Sequence, residues 1–88
     1  MRIKEGYIKT QSIDGFVVVP IEEESKNKKI MLTLNDTASE IWDMLCEEKN
    51  KDEIIAFLTE KYNVSEKQSE SGVNNVISTL LEEGILEE

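Results

Sequence analysis

Catalysis needs a group that exchanges protons near neutral pH, a nucleophile with its base, or ligands for a metal, and this sequence is short of all three. It holds no histidine, so it lacks the commonest general base and the imidazole ligand of most zinc centres. A serine nucleophile would have to rely on lysine or a carboxylate, and no spacing in the chain suggests such a pair. Cys46 is the sole cysteine, so no internal disulfide can form. It follows Trp42 by four residues on one helical face and reads as a small buried hydrophobe. Glu47 and Glu48 next to it raise the thiol pKa rather than activate it. The other carboxylates cluster as Glu47-Glu48, Glu82-Glu83 and Glu87-Glu88, and adjacent residues on a helix do not face a common substrate. No glycine-rich phosphate loop or calcium-loop spacing occurs. The expectation is a protein that is not an enzyme, with no cofactor and no metal.

Two binding chemistries can be weighed on particular residues. A carrier domain needs a serine at a helix start, usually within Asp-Ser-Leu, to bear a phosphopantetheine arm. Ala38-Ser39-Glu40 is the nearest candidate and lacks that context, and a β-rich N-terminus does not suit an all-helical carrier. Duplex DNA calls for cations on a recognition helix. Between Ser65 and Glu83 there is Lys67 against Glu66, Glu70, Glu82 and Glu83. The formal charge of the whole chain is −9, which repels phosphate backbones and anionic lipid alike. Nucleic acid is therefore excluded as the preferred partner, and a winged-helix DNA-binding or protein-interaction module stands as the alternative reading.

What positions a binding surface here is the corner Leu32 to Trp42. Leu32 and Leu34 repeat at the strand period of two, whereas Ala38, Ile41, Trp42 and Leu45 repeat at i, i+3, i+4 and i+7, one face of a helix. Asn35, Asp36 and Thr37 all suit a helix start, and Thr37 with Glu40 has the capping-box spacing. Upstream, Tyr7–Ser12 and Phe16–Val19 are β-prone runs separated by Ile13-Asp14-Gly15, and Asp-Gly at such a junction signals a tight antiparallel hairpin. Pro20 ends the second strand. Residues 22–29, acidic then basic, read as an exposed loop, and Ile30–Leu34 as a third strand.

Three helices follow. The first runs from Asp36 to Glu48. The second runs from Lys51 to Tyr62, opened by Asn50 with Glu53 and carrying Ile54, Leu58 and Tyr62 on one face. The third covers residues 65–83, opened by Ser65 with Gln68, and its stripe is Val73, Val76, Ile77, Leu80 and Leu81. Gly84 closes it in the left-handed conformation, Ile85 and Leu86 return to the core, and the last glutamates stay in water. The fold class is α+β: a three-stranded antiparallel N-terminal sheet followed by three helices, winged helix-turn-helix-like. With 88 residues there is room for one domain. The longest apolar runs, Phe16–Val19 and Ile54–Leu58, fall far below the roughly 18 residues that span a bilayer. The N-terminus has no signal-peptide pattern, so a cytoplasmic protein with no membrane partner is expected.

Leu34-Asn35-Asp36-Thr37-Ala38 with Ile41-Trp42, then Asp52–Leu58 with Tyr62, then Leu80–Leu86 resemble the motifs of the PqqD-like family. These are the small peptide chaperones of pyrroloquinoline quinone synthesis and the related recognition elements for ribosomally made, post-translationally modified peptides. The likeness runs from about Tyr7 to Leu86. Where the family often has aspartate then valine in its third helix, this chain has Asn75-Val76. The resemblance implies that residues 1–88 form one peptide-recognition domain that binds the leader segment of a precursor peptide and hands it to a modifying enzyme, such as a radical SAM protein or a leader protease. It also implies that the leader adds as a strand beside the third strand, in a groove closed by the third helix. The binding residues would then be Ile30, Met31, Leu32, Thr33 and Leu34 on the strand and Val73, Val76, Ile77 and Leu80 on the helix. An edge strand supplies unpaired backbone groups to such a guest, and pockets for alternate side chains supply selectivity. Leu32, Leu34, Ile77 and Leu80 serve equally as core, and Met31 and Thr33 fall on the opposite face of the strand. The negative charge predicts a basic leader whose binding weakens in salt. A monomer or a weak homodimer paired through free strands is expected.

Overall fold

The computed structural model describes residues 1–13, 15–20 and 32–87. Strand β1 is Arg2–Ile3, β2 Tyr7–Ser12, β3 Gly15–Pro20 and β4 Leu32–Leu34, followed by α1 Asp36–Cys46, α2 Lys51–Tyr62, α3 Glu66–Glu82 and β5 Leu86–Glu87. Strands β2, β3 and β4 form an antiparallel sheet in that order. Ser12 pairs with Gly15, which closes the β2–β3 hairpin. Gly15 thus belongs to β3 rather than to the turn, and its φ of 143° is a value that side chains disfavour. Asp14 lies outside the described residues, as do the expected loop 22–29 and the first two residues of the expected third strand, Ile30 and Met31.

Each helix starts where a side chain can take up free amides. At α1 that residue is Asn35, whose Oδ1 accepts from the Ala38 amide at 2.8 Å. The expected Thr37–Glu40 box does not form, because Glu40 is drawn to α2 instead. At α2 and α3 the expected capping boxes are present, Asn50 with Glu53 and Ser65 with Gln68. Helix α1 ends at Cys46, two residues short of expectation, since Glu48 adopts a positive φ of 60° that breaks the repeat.

The core joins all layers. Val18 and Leu34 from the sheet meet Ile41, Trp42 and Leu45 of α1, Ile54, Ile55 and Leu58 of α2, and Val73, Ile77 and Leu80 of α3. Two buried serines are satisfied across element boundaries. Ser39 Oγ accepts from Lys9 Nζ at 2.6 Å, and the same ammonium reaches Asp43 Oδ1 at 2.7 Å, tying β2 to α1. Thr59 Oγ1 donates to the Ile55 carbonyl at 2.7 Å and accepts from the Ser69 hydroxyl at 2.9 Å, tying α2 to α3.

Gly84 takes a φ of 75°, and the Ile85 amide donates back to the Leu80 carbonyl at 2.9 Å, which turns the chain so that Ile85 and Leu86 enter the core. Leu86 then pairs with Ile3, and Glu87 with Arg2, in a two-stranded ribbon. Strand β1 has no counterpart in the sequence reading: two residues carry no periodicity, and their pairing is with the far end of the chain. Glu87 keeps its carboxylate at the surface, as expected, and there accepts from Arg2 Nε at 2.8 Å in an exposed ion pair. Cys46 is exposed rather than buried, at the frayed end of α1 where the chain already leaves the helix. Its thiol pKa is raised, first by partial desolvation and then by Asp43, as an unreactive thiol requires.

Glu40 clamps α1 to α2. Its Oε1 accepts from Lys61 Nζ at 2.8 Å and from the Tyr62 hydroxyl, while Oε2 is buried and has no partner among the described residues. The hydrogen bond from Lys61, then that from Tyr62, holds the carboxyl below the usual carboxylate range. A carboxyl whose folded pKa is depressed contributes stability fully above its unfolded pKa and loses it as pH falls through the folded value. Glu40→Gln should therefore be less stable than the natural protein in urea at pH 7, and the two midpoints should converge as the pH falls through the depressed folded pKa of Glu40. A gap that keeps its size through that fall would show that the carboxylate charge is not what holds the clamp.

Candidate functional site

Strand β4 is one border of the three-stranded sheet. Among the described residues it pairs with β3 alone: Phe16 opposite Leu34, Val17 opposite Thr33 and Val18 opposite Leu32. The Leu34 carbonyl oxygen faces β3, lying 3.0 Å from where a Cβ on Gly15 would stand. Residues alternate in the direction of their backbone groups along an antiparallel strand, so the carbonyl and amide of Thr33 point to the open border. An incoming strand would find those two groups free among the described residues.

Helix α3 runs alongside this border. Between them is a cleft of about 150 Å³ lined by Leu32, Thr33 and Leu34 of β4, Ala38 of α1, and Asn75, Val76 and Thr79 of α3. Asn35 caps α1 and so turns the chain at the end of β4, which is why Ala38 closes one end of the cleft. The lining is mostly apolar and holds no ionisable side chain. Thr79 Oγ1 donates to the Asn75 carbonyl at 2.9 Å, which leaves the Asn75 carboxamide and the Thr33 hydroxyl as polar side-chain groups that can meet a ligand. This arrangement can seat the uncharged side chain of an extended peptide while Thr33 holds its main chain.

The structure places Leu32, Thr33, Leu34 and Val76 together in the cleft wall. Val73, Ile77 and Leu80 are buried in the core behind it; they set the distance of α3 from β4 and do not line the cleft. Ile30 and Met31 lie outside the described residues. Ala38, Asn75 and Thr79 were missed by the sequence reading. The signal for the last two was present, because Asn75 and Thr79 share a helical face with Val76, but a search for apolar stripes passes over polar residues.

The three-stranded antiparallel sheet, whose border strand leads into a three-helix bundle with a cleft between that strand and the last helix, defines an α+β fold of winged helix-turn-helix type. A family model described as Coenzyme PQQ synthesis protein D (PqqD) matches residues 15–86, and the chain belongs to this family. Two solved structures share the fold. One, a lasso peptide synthetase B1 complexed with the leader peptide, is 24% identical with a TM-score of 0.78, over 96% of this chain and 93% of that one. The other, TbiB1 in complex with the TbiA(beta) leader peptide, is 22% identical with a TM-score of 0.80, over 99% of this chain and 95% of that one. No curated protein matches the chain.

None of the helices in the described residues is long and apolar enough to cross a membrane.

Proposed function

We propose that this chain is a non-catalytic recognition module that captures the leader segment of a ribosomally synthesised precursor peptide and presents the rest of that peptide to a modifying enzyme. The observation that carries this reading is the Thr33 backbone, unpaired among the described residues, beside a mainly apolar cleft. Strand addition draws its affinity from main-chain hydrogen bonds and its selectivity from side-chain pockets, and both are at hand along β4. The two leader-peptide complexes of like fold support the choice of guest. The modifying enzyme, of radical SAM, leader-protease or another class, acts on the part of the peptide that β4 does not hold.

The wall of the cleft is uncharged, so attraction for a basic leader comes from the acidic surface around it. Such attraction acts on the encounter and is screened by salt. Amide chemical shifts should report this directly. On titration with the N-terminal half of a short peptide encoded beside this gene, the largest shifts are expected at Leu32, Thr33, Leu34, Asn75, Val76 and Thr79, with weaker affinity as salt rises. Saturating peptide that leaves these amides unmoved, or that moves only β2 and α2, would overturn the reading.

A further inference from the structure

Helix α3 is longer than the strand it flanks. Its C-terminal half passes β4, but its N-terminal half runs on past the end of that strand to the start of α1. Gln68, Gly72, Asn75, Val76 and Thr79 fall at i, i+4, i+7, i+8 and i+11, which is one continuous face. The β4 cleft uses Asn75, Val76 and Thr79 of that face. Gln68 and Gly72 belong to a second, larger cleft of about 290 Å³, whose other walls include Thr37 of α1 and Leu58, Tyr62 and Val64 from the end of α2 and beyond. Thr37 and Ala38 are adjacent, one in each cleft, so the two openings are neighbours along α3.

Building on the leader-binding reading above, we infer that the second cleft is a distal subsite for the same guest chain, taking an uncharged, preferably aromatic or aliphatic, side chain. Three observations argue for this occupant. First, Gln68 and Gly72 of the second cleft share a helical face with Asn75, Val76 and Thr79 of the first, so a strand leaving the Thr33 border in the direction of α1 would meet the second. Second, the lining carries no ionisable carboxylate or ammonium, and Tyr62 and Val64 expose apolar surface at its rim. Third, Gly72 lines the second cleft on the side toward the first, and a Cβ built there meets nothing within 4 Å, which leaves open space where a larger side chain would stand in the path. The spacing follows from the helix. Seven or eight residues at 1.5 Å separate the centres of the two clefts, about 10–12 Å, and an extended peptide covers that in about three to four residues at roughly 3.3 Å each. The guest therefore carries two anchor side chains three to four residues apart, the second beyond the part that pairs with β4.

The test uses displayed random peptides of about twelve residues, long enough to cross both clefts at roughly 3.3 Å per residue, selected on the natural chain, on Gly72→Leu and on Thr33→Pro. Gly72→Leu places a side chain in open space on a helix, where leucine is favoured over glycine, so a melting midpoint at or above that of the natural chain is expected. Peptides selected on the natural chain should share two uncharged anchors at the stated spacing. They should bind Gly72→Leu about tenfold to a hundredfold more weakly, the worth of one buried aliphatic side chain. Peptides truncated to the β4 anchor alone should bind both proteins equally. Binders that depend on Thr33 but carry one anchor, or that ignore Gly72→Leu, would overturn the distal subsite and leave the leader-binding reading standing. Binders indifferent to Thr33→Pro would overturn both.

Discussion

Thr33→Pro is expected to weaken capture of an extended peptide by roughly tenfold or more while leaving the thermal midpoint nearly unchanged. The two halves of that outcome rest on one geometric fact. Thr33 directs its amide away from β3, because the Leu34 carbonyl next along faces β3 and directions alternate. Proline at this position removes a donor that has no partner among the described residues, and proline is tolerated on a border strand where its missing N–H faces outward. Its fixed φ of about −65° and the extended bias it imposes on Leu32 are compatible with a strand. A guest strand, by contrast, loses one main-chain hydrogen bond, worth about 0.5–1.5 kcal/mol net, and meets the pyrrolidine ring where it should pack. The same change at Leu34 should behave oppositely, since that residue bonds to β3 and its loss costs stability. Isothermal titration and a melting curve on both variants decide the matter. Equal affinity for Thr33→Pro and the natural chain would mean that the guest does not add to β4.

How far the sequence led toward this site can be traced residue by residue. The corner from Leu32 to Trp42 was legible because it combines two periods and a capping residue in a short stretch, and local signals of that kind survive in the fold. Helices α2 and α3 were legible for the same reason: Asn50 with Glu53, and Ser65 with Gln68, fix their starts in both sequence and structure. The ribbon of β1 with β5 was not, because its pairing joins Arg2 to Glu87 and no local pattern announces a partner so distant. The Thr37–Glu40 spacing pointed the wrong way for a related reason: Lys61 and Tyr62, invisible from α1, offered Glu40 a better partner than its own helix start. At the site, the family resemblance put Val73, Ile77 and Leu80 on the groove wall, with Ile77 and Leu80 serving equally as core, because a sequence alone cannot tell a stripe that faces a ligand from one that faces the core. Asn75, Val76 and Thr79 lie about one-third of a turn away from that stripe, and the cleft is built from them.

Removing the indole of Trp42 should have the largest effect on stability of any single change in the chain. Trp42 is only 3% exposed and stands in the α1 face that both the sheet and α3 pack against. Trp→Ala in a core of this kind costs about 3–5 kcal/mol, the lost transfer energy plus the cavity left behind. A domain of this length has a total stability of about 4–13 kcal/mol at roughly 0.05–0.15 kcal/mol per residue, so the variant should unfold well below the natural midpoint. At about 4–8 °C per kcal/mol for a domain of 60–100 residues, a loss of 3 kcal/mol lowers Tm by about 12–24 °C. Trp42→Phe keeps a ring in place and should lose less than half as much. A loss under about 1 kcal/mol for Trp42→Ala would be incompatible with a packed core at this position. Peptide affinity gives the complementary readout. Below its midpoint Trp42→Ala still presents the Thr33 border, so its binding should fall only by the fraction unfolded. Thr33→Pro loses affinity at every temperature. If both variants instead lost affinity and stability in proportion, the cleft and the core would be a single cooperative object, and binding could not be assigned to the free backbone of β4.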